Sequence, residues 1–169
     1  MRGTFRRGLA PIWCARTRVL VLGSFPGEAS LAAGQYYAHP RNHFWPIVGA
    51  LIGVPLAKLA YEQRIAALLG AGLGLWDTIV DCRREGSLDG AIREPHWGSP
   101  GAARDAAPGI ALVGFNGQTA ARALPAWRDA GLATIALPST SPAYTRPIAE
   151  KLAAWQIIGD ALRAGSKGR

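Results

Sequence analysis

Four short apolar runs, at residues 19–22, 72–76, 110–114 and 133–137, each end in a polar or turn-forming cluster, and helix-like stretches separate them. That rhythm restricts the chain more than any other feature. The intervening stretches 44–52, 60–69, 118–124 and 148–162 read as helices, with apolar residues at helical spacing. Strands that alternate with helices pair in parallel, helices cover both faces of the sheet, and ligands bind outside the carboxyl ends of the strands. The expected class is α/β: a single-domain three-layer α/β/α sandwich around a central four-stranded, mainly parallel sheet. One domain is expected to span residues 1–169, since 49% hydrophobic residues can build a core and 18% charge argues against disorder. That domain is expected to include a basic N-terminal arm at about 1–17 and a Gly/Pro/Arg-rich stretch at about 83–108, read as a long flexible loop.

The strand exits hold the chemistry. The first, Gly23-Ser24-Phe25-Pro26-Gly27, leads to Tyr36-Tyr37-Ala38-His39-Pro40-Arg41-Asn42-His43-Phe44-Trp45. A loop this rich in aromatic side chains costs entropy and exposes apolar surface unless it lines a pocket. The other exits are Asp77-Thr78, Phe115-Asn116 and Pro138-Ser139-Thr140-Ser141-Pro142. The topology brings Ser24, Asp77, Asn116 and the Ser/Thr cluster to one rim, so a composite pocket is expected there.

Formal charge is +8, carried by 16 Arg and three Lys. Guanidinium groups suit bidentate phosphate contacts, so a nucleic-acid partner is permitted, although Arg-rich genome composition gives the same bias. Cys14 and Cys82 are too few for a metal cage and read as buried thiols, not a disulfide, in a reducing compartment. His39 and His43 stand four apart, but Pro40 lies between them and no third ligand is evident. No metal or cofactor is expected, and His39 is read as a buttress of its loop. No apolar run nears the roughly 20 residues of a membrane span, and the arginines at the start flank too short an apolar patch for a signal peptide. A cytoplasmic monomer without a membrane partner is the expectation.

At these residues the chain resembles the uracil-DNA glycosylase superfamily, and most closely its hypoxanthine-DNA (deoxyinosine) glycosylase branch. The Gly-x-x-Pro-Gly turn after the first strand is matched by Gly23 to Gly27, and the Pro-Ser element after the last strand by Leu137-Pro138-Ser139-Thr140-Ser141-Pro142. Tyr37-Ala38-His39-Pro40-Arg41-Asn42-His43-Phe44-Trp45 looks like the aromatic-Ala-His-Pro-x-Asn-x-Phe-Trp segment of mismatch-specific uracil glycosylases, and Gly74-Leu75-Trp76-Asp77-Thr78 like the strand that reads the base. Three positions depart from the pattern. Ser24 and Phe25 stand where many relatives carry an acid or amide, Leu137 where many carry His or Asn, and Asp77 where Asn is common.

The resemblance implies a monofunctional DNA glycosylase that hydrolyses the N-glycosidic bond of a deaminated base, uracil placed slightly ahead of hypoxanthine, in the first step of base excision repair. Its partner would be DNA containing deaminated bases. Asn42 and Asp77 are the catalytic candidates, Asn42 orienting water and Asp77 either accepting a hydrogen bond from the base or activating the water. Phe25, Tyr37 and Asn116 are assigned to the base, with Tyr37 stacking on it. Ser24, Gly27, Ser139, Thr140, Ser141 and Arg146 are assigned to the DNA backbone. Phe44 and Trp45 are read as core, and the absence of lysine from the rim motifs speaks against Schiff-base chemistry. An idle nucleic-acid-binding module on the same fold, and a hydrolase of free nucleosides, are the alternatives.

Overall fold

The computed structural model describes residues 3–167; residues 1, 2, 168 and 169, with Arg2 of the basic arm, lie outside the described residues. Its strands are β1 (Phe5–Arg7), β2 (Val19–Gly23), β3 (Leu73–Asp77), β4 (Ile79–Arg83), β5 (Arg93–Trp97), β6 (Leu112–Asn116) and β7 (Thr134–Leu137). Its helices are α1 (Glu28–Ala33), α2 (Phe44–Ile52), α3 (Tyr61–Ala71), α4 (Pro100–Ala106), α5 (Gln118–Ala121), α6 (Leu124–Asp129) and α7 (Ile148–Ser166). Strands β3-β2-β6-β7 form the central sheet, and every pairing in it is parallel. This is the four-stranded sheet expected from the apolar runs.

Alternation along β2 builds the layers. Val19 and Val21 point to one face, where they join Phe44, Ile47 and Val48 of α2, Leu68 of α3, and Trp155 and Ile158 of α7. Leu20 and Leu22 point to the other, against Ala103 of α4, Ala120 of α5 and Trp127 of α6. Every residue of β2 and β3 is buried, as expected of strands covered on both sides. Phe44 and Trp45 lie in the core, as read from the sequence.

Two expectations are corrected. The stretch 83–108 is not a long loop: it holds β5, a 3-10 turn at Asp89–Ala91 and α4, and a second, antiparallel sheet runs β1-β4-β5. Strand β5 escaped notice because it lies mostly exposed at a sheet edge and contains Pro95, so it has neither apolar alternation nor an unbroken donor ladder. The stretch 118–124 is not one helix: α5 ends at Ala121 and α6 restarts at Leu124, with a proline in its first turn. Among the described residues no helix is long and apolar enough to cross a membrane.

Candidate active site

Parallel register places the carboxyl ends of the four central strands side by side. Gly23 pairs with Asp77, Leu22 with Phe115, and Asn116 with Leu137. The exits that follow enclose a cleft of about 570 Å³. Ten of the eleven residues assigned from sequence line it: Ser24, Phe25, Gly27, Tyr37, Asn42, Asp77, Asn116, Ser139, Thr140 and Ser141. Arg146 does not; it stands outside on the approach to α7, with Nη1 3.4 Å from Glu150 Oε2.

Asp77 ends β3 with its side chain buried and Oδ2 without a hydrogen-bond partner. Burial, reinforced by the nearby Asp89 carboxylate and opposed by Arg84, pushes its pKa up to about 7. A carboxyl group in this state can donate or accept at neutral pH. Glycine is required beside it. A Cβ on Gly23 would lie 2.5 Å from Asp77 Oδ1 and 3.2 Å from the Tyr37 hydroxyl. The Gly23 backbone cannot yield, because its carbonyl accepts from Thr78 N at 2.8 Å and the residue closes a paired strand. Gly23→Ala is therefore expected to push the Asp77 carboxyl aside and to lower substrate turnover by on the order of 10², the effect of an ångström-scale misplacement. Single-turnover kinetics beside a melting curve check that the loss exceeds any unfolding.

Tyr37 is held unusually tightly. Its backbone is left-handed at φ 54°, a conformation that costs a non-glycine residue on the order of 1 kcal/mol or more. One ring face stacks on Phe44 at a centroid distance of 4.0 Å and 17° between planes, and Trp45 Nε1 donates to the Tyr37 carbonyl at 3.1 Å. The Tyr37 hydroxyl lies 3.2 Å from Asn116 Nδ2, and burial raises its pKa beyond the physiological range. Phe25 is mostly buried against Ile79 and Cys82, with the Arg84 guanidinium 5.0 Å from its ring centroid.

The amide of Asn116 is engaged within the protein. Nδ2 donates to Thr140 Oγ1 at 2.9 Å as well as meeting Tyr37, and Oδ1 accepts from Thr140 N at 2.9 Å. Asn116 thus ties the aromatic loop to the exit of β7. Thr140 itself is buried, so of the three hydroxyls assigned to the DNA backbone it sits behind Ser139 and Ser141. Asn116→Ala strands the partners of three hydrogen bonds and is expected to cost roughly 1–3 kcal/mol, to be read from urea denaturation.

Asn42 sits where the aromatic loop enters α2. Its Oδ1 accepts from Phe44 N at 2.9 Å, leaving a second lone pair, and its backbone N–H donates to His39 O at 3.0 Å. His43 N donates to Thr140 O at 3.0 Å, which draws this loop against the β7 exit. His39 Nδ1 accepts from Arg41 N at 3.1 Å, the buttressing role read from the sequence. Among the described residues no group of three or more His, Cys, Asp or Glu side chains is gathered to hold a metal. Both cysteines are free thiols; Cys82 is buried as expected, whereas Cys14 is only half-buried.

Several contributors were missed. Arg84 is buried and donates to the Pro26 carbonyl, pinning the turn at 23–27 from behind. Ser87 Oγ accepts from Glu28 N at 2.8 Å, and Ser24 Oγ donates to Asp89 Oδ1 at 2.8 Å, so Ser24 is engaged with the 83–92 segment. Lys151 is fully buried under the 139–144 loop, where Nζ donates to Ser141 O at 3.3 Å and lies 5.4 Å from the Tyr144 ring centroid. Burial lowers its pKa, and it does not line the cleft. The only sequence signal for Ser87 and Asp89 was the length of the supposed loop, a feature of functional segments.

No protein-family model matches the chain. A curated protein of Methanosarcina barkeri (strain Fusaro / DSM 804), named hypoxanthine DNA glycosylase, is 35% identical over 150 residues, covering 89% of this chain and 95% of its own length. One of the same name from Methanosarcina acetivorans is 34% identical over 153 residues, covering 90% and 97%. A solution NMR structure from M. acetivorans, provisionally named a uracil DNA glycosylase, superposes with a TM-score of 0.85 at 32% identity, over 95% of this chain and 99% of that one.

Proposed function

The chain belongs to the hypoxanthine DNA glycosylase family, within the uracil-DNA glycosylase superfamily, and from that membership we propose that it excises deaminated bases from DNA, hypoxanthine before uracil. The order reverses the one expected from sequence alone; the names carried by the two curated relatives support it. The observation that carries the reading is the buried, unpartnered Asp77 Oδ2 in a cleft that Tyr37 and Asn42 also line.

A nucleotide swung out of the duplex lays its base beside Tyr37, whose other face is fixed by Phe44. Asn42 Oδ1 holds a water toward C1′ of the sugar. The water oxygen bonds to C1′ as the C1′–N bond breaks, and the bonding pair leaves with the base. Protonated Asp77 faces the lactam edge of that base, donating to its carbonyl oxygen and accepting from its N–H. This stabilises the anion and supplies its proton, while the water's proton passes to solvent or to Asp77. Raised carboxyl pKa values serve this acid role in buried sites. Ser139 and Ser141 grip the backbone. Lysine plays no covalent part, so the product is an abasic site with an intact strand, made in the cytoplasm.

The test is incubation with duplexes carrying one deoxyinosine or one uracil, followed by alkaline cleavage of abasic products. Strand breaks only after alkali, faster at deoxyinosine, are the expected result. Binding without breaks would instead identify an idle binding module, and activity confined to free deoxynucleosides a nucleosidase.

A further inference from the structure

Arg41 stands in the aromatic loop, and among the residues that line the cleft it is the one arginine or lysine. Three acids line it too: Glu28, Asp77 and Asp89. The other cations around the cleft are already engaged. Arg6 Nη2 lies 3.6 Å from Glu28 Oε1, Arg146 faces Glu150, and Arg84 and Lys151 are buried with backbone carbonyls as their partners. The Arg41 side chain is exposed, and its guanidinium has no partner among the described residues.

Its backbone, by contrast, is fixed. Arg41 N donates to His39 Nδ1 at 3.1 Å, Asn42 N donates to His39 O at 3.0 Å, and the ring of Pro40 locks φ between them. Two residues further on, His43 N bonds to the Thr140 carbonyl, which ties the loop to the segment carrying Ser139 and Ser141. Each of those serine oxygens accepts a backbone N–H, from Ser141 N at 3.1 Å and from Ala143 N at 3.2 Å, so the hydroxyl proton is left to donate outward. The cleft therefore carries a free guanidinium on a rigid stem, and two hydroxyl donors on the segment tied to it.

Resting on the reading of this cleft as a glycosylase site, we propose that Arg41 grips a phosphate flanking the extruded nucleotide and is the cation that offsets the acids of the cleft. A strand that enters brings one negative charge per nucleotide toward Glu28 and Asp89, and among the described residues no other unengaged arginine or lysine lines the cleft to meet it. A planar guanidinium takes two phosphate oxygens at once, which fixes the rotation of the strand as well as its position. Asn42, the next residue, addresses C1′ of the same nucleotide, so one rigid stretch of backbone spaces the phosphate contact from the amide that holds water. The contact takes the place of the one expected of Arg146 from sequence. Its occupant is a phosphodiester, which a free nucleoside does not offer.

Binding is measured by fluorescence anisotropy with the whole chain and a duplex carrying one 2′-fluoro-deoxyinosine, whose N-glycosidic bond resists hydrolysis. Arg41→Ala is expected to weaken binding on the order of tenfold and to lower the slope of log affinity against log salt by about 1, the mark of one lost phosphate contact. Arg41→Lys should restore the slope but only part of the affinity, since an ammonium lacks the bidentate fork. Replacing the two flanking phosphates one at a time by neutral methylphosphonates locates the partner. At one of them the parent should lose what Arg41→Ala loses, and the substitution should then cost nothing further. A parental slope in Arg41→Ala, a loss undiminished at both methylphosphonates, or a parent that binds no duplex would overturn the proposal. Failure of the glycosylase reading shows separately, as a parent protein that binds but cuts neither deoxyinosine nor uracil, and the binding comparisons, which need no cleavage, still decide the role of Arg41. Because the side chain has no partner to lose, an unchanged melting temperature is the control for folding.

Discussion

Excision by the parent protein is expected to be level below about pH 6 and to fall about tenfold per pH unit above pH 8, bending near the pKa of Asp77 at about 7. Asp77→Ala should lose on the order of 10² or more in single-turnover rate at neutral pH and should lose the bend as well. Charge sets the direction of the effect. A departing base carries an electron pair, and a carboxylate facing it would repel that charge, whereas a carboxylic acid donates to it. Burial and the Asp89 carboxylate favour the protonated form, against the weaker pull of Arg84. A rate that climbs with pH through this range would instead make Asp77 the base that activates water.

The same group leaves a mark on stability. The folded chain holds the Asp77 proton more tightly than the unfolded chain, so its contribution is complete below about pH 4 and is lost as pH rises through about 7. Asp77→Asn, neutral and nearly isosteric, should then be more stable than the parent at pH 8, by up to about 4 kcal/mol, with the gap narrowing at pH 5. Urea midpoints at the two pH values read the difference. An unchanged gap would mean that the carboxyl is not held protonated.

Removing the Asn42 side chain is the second large effect: Asn42→Ala should slow single-turnover excision by on the order of 10² while binding to abasic DNA stays close to that of the parent. The side chain also accepts from Phe44 N at the start of α2, so its loss costs some stability. Asn42→Ser separates the two roles. A serine hydroxyl can cap the helix, so melting should recover, but it is too short to hold a water at the distance of the sugar, so the rate should not. Recovery of both would reduce Asn42 to a capping residue.

The parallel sheet was legible because its strands are covered on both faces and so read as unbroken apolar runs, as in Val19-Leu20-Val21-Leu22. Each run also ended in a turn-forming cluster, which is why the cleft-lining residues could be named before their geometry was known. What sequence could not show is how those side chains are shared. Asn116 looked free to read a base, yet it ties Tyr37, 79 residues before it, to Thr140, 24 residues after it. Arg146 followed the serine cluster closely but turns away toward Glu150. The wall at 83–92 was illegible for a different reason: its order comes from polar contacts such as Ser24 with Asp89, which leave no apolar period to detect.

Strand β1 secures one wall of the cleft from a distance. It is only three residues long, yet it pairs with β4 across the sequence, and Thr4 fastens Glu85 through both its backbone N–H and its hydroxyl. The ribbon that presents Ser87 and Asp89 is thus sewn to the segment that precedes β2, while the parallel sheet is complete without it. Cutting away Thr4 and β1, by a protease or an over-zealous trimming of the gene, would leave a molecule that still folds and melts cooperatively but whose cavity has one side hanging loose.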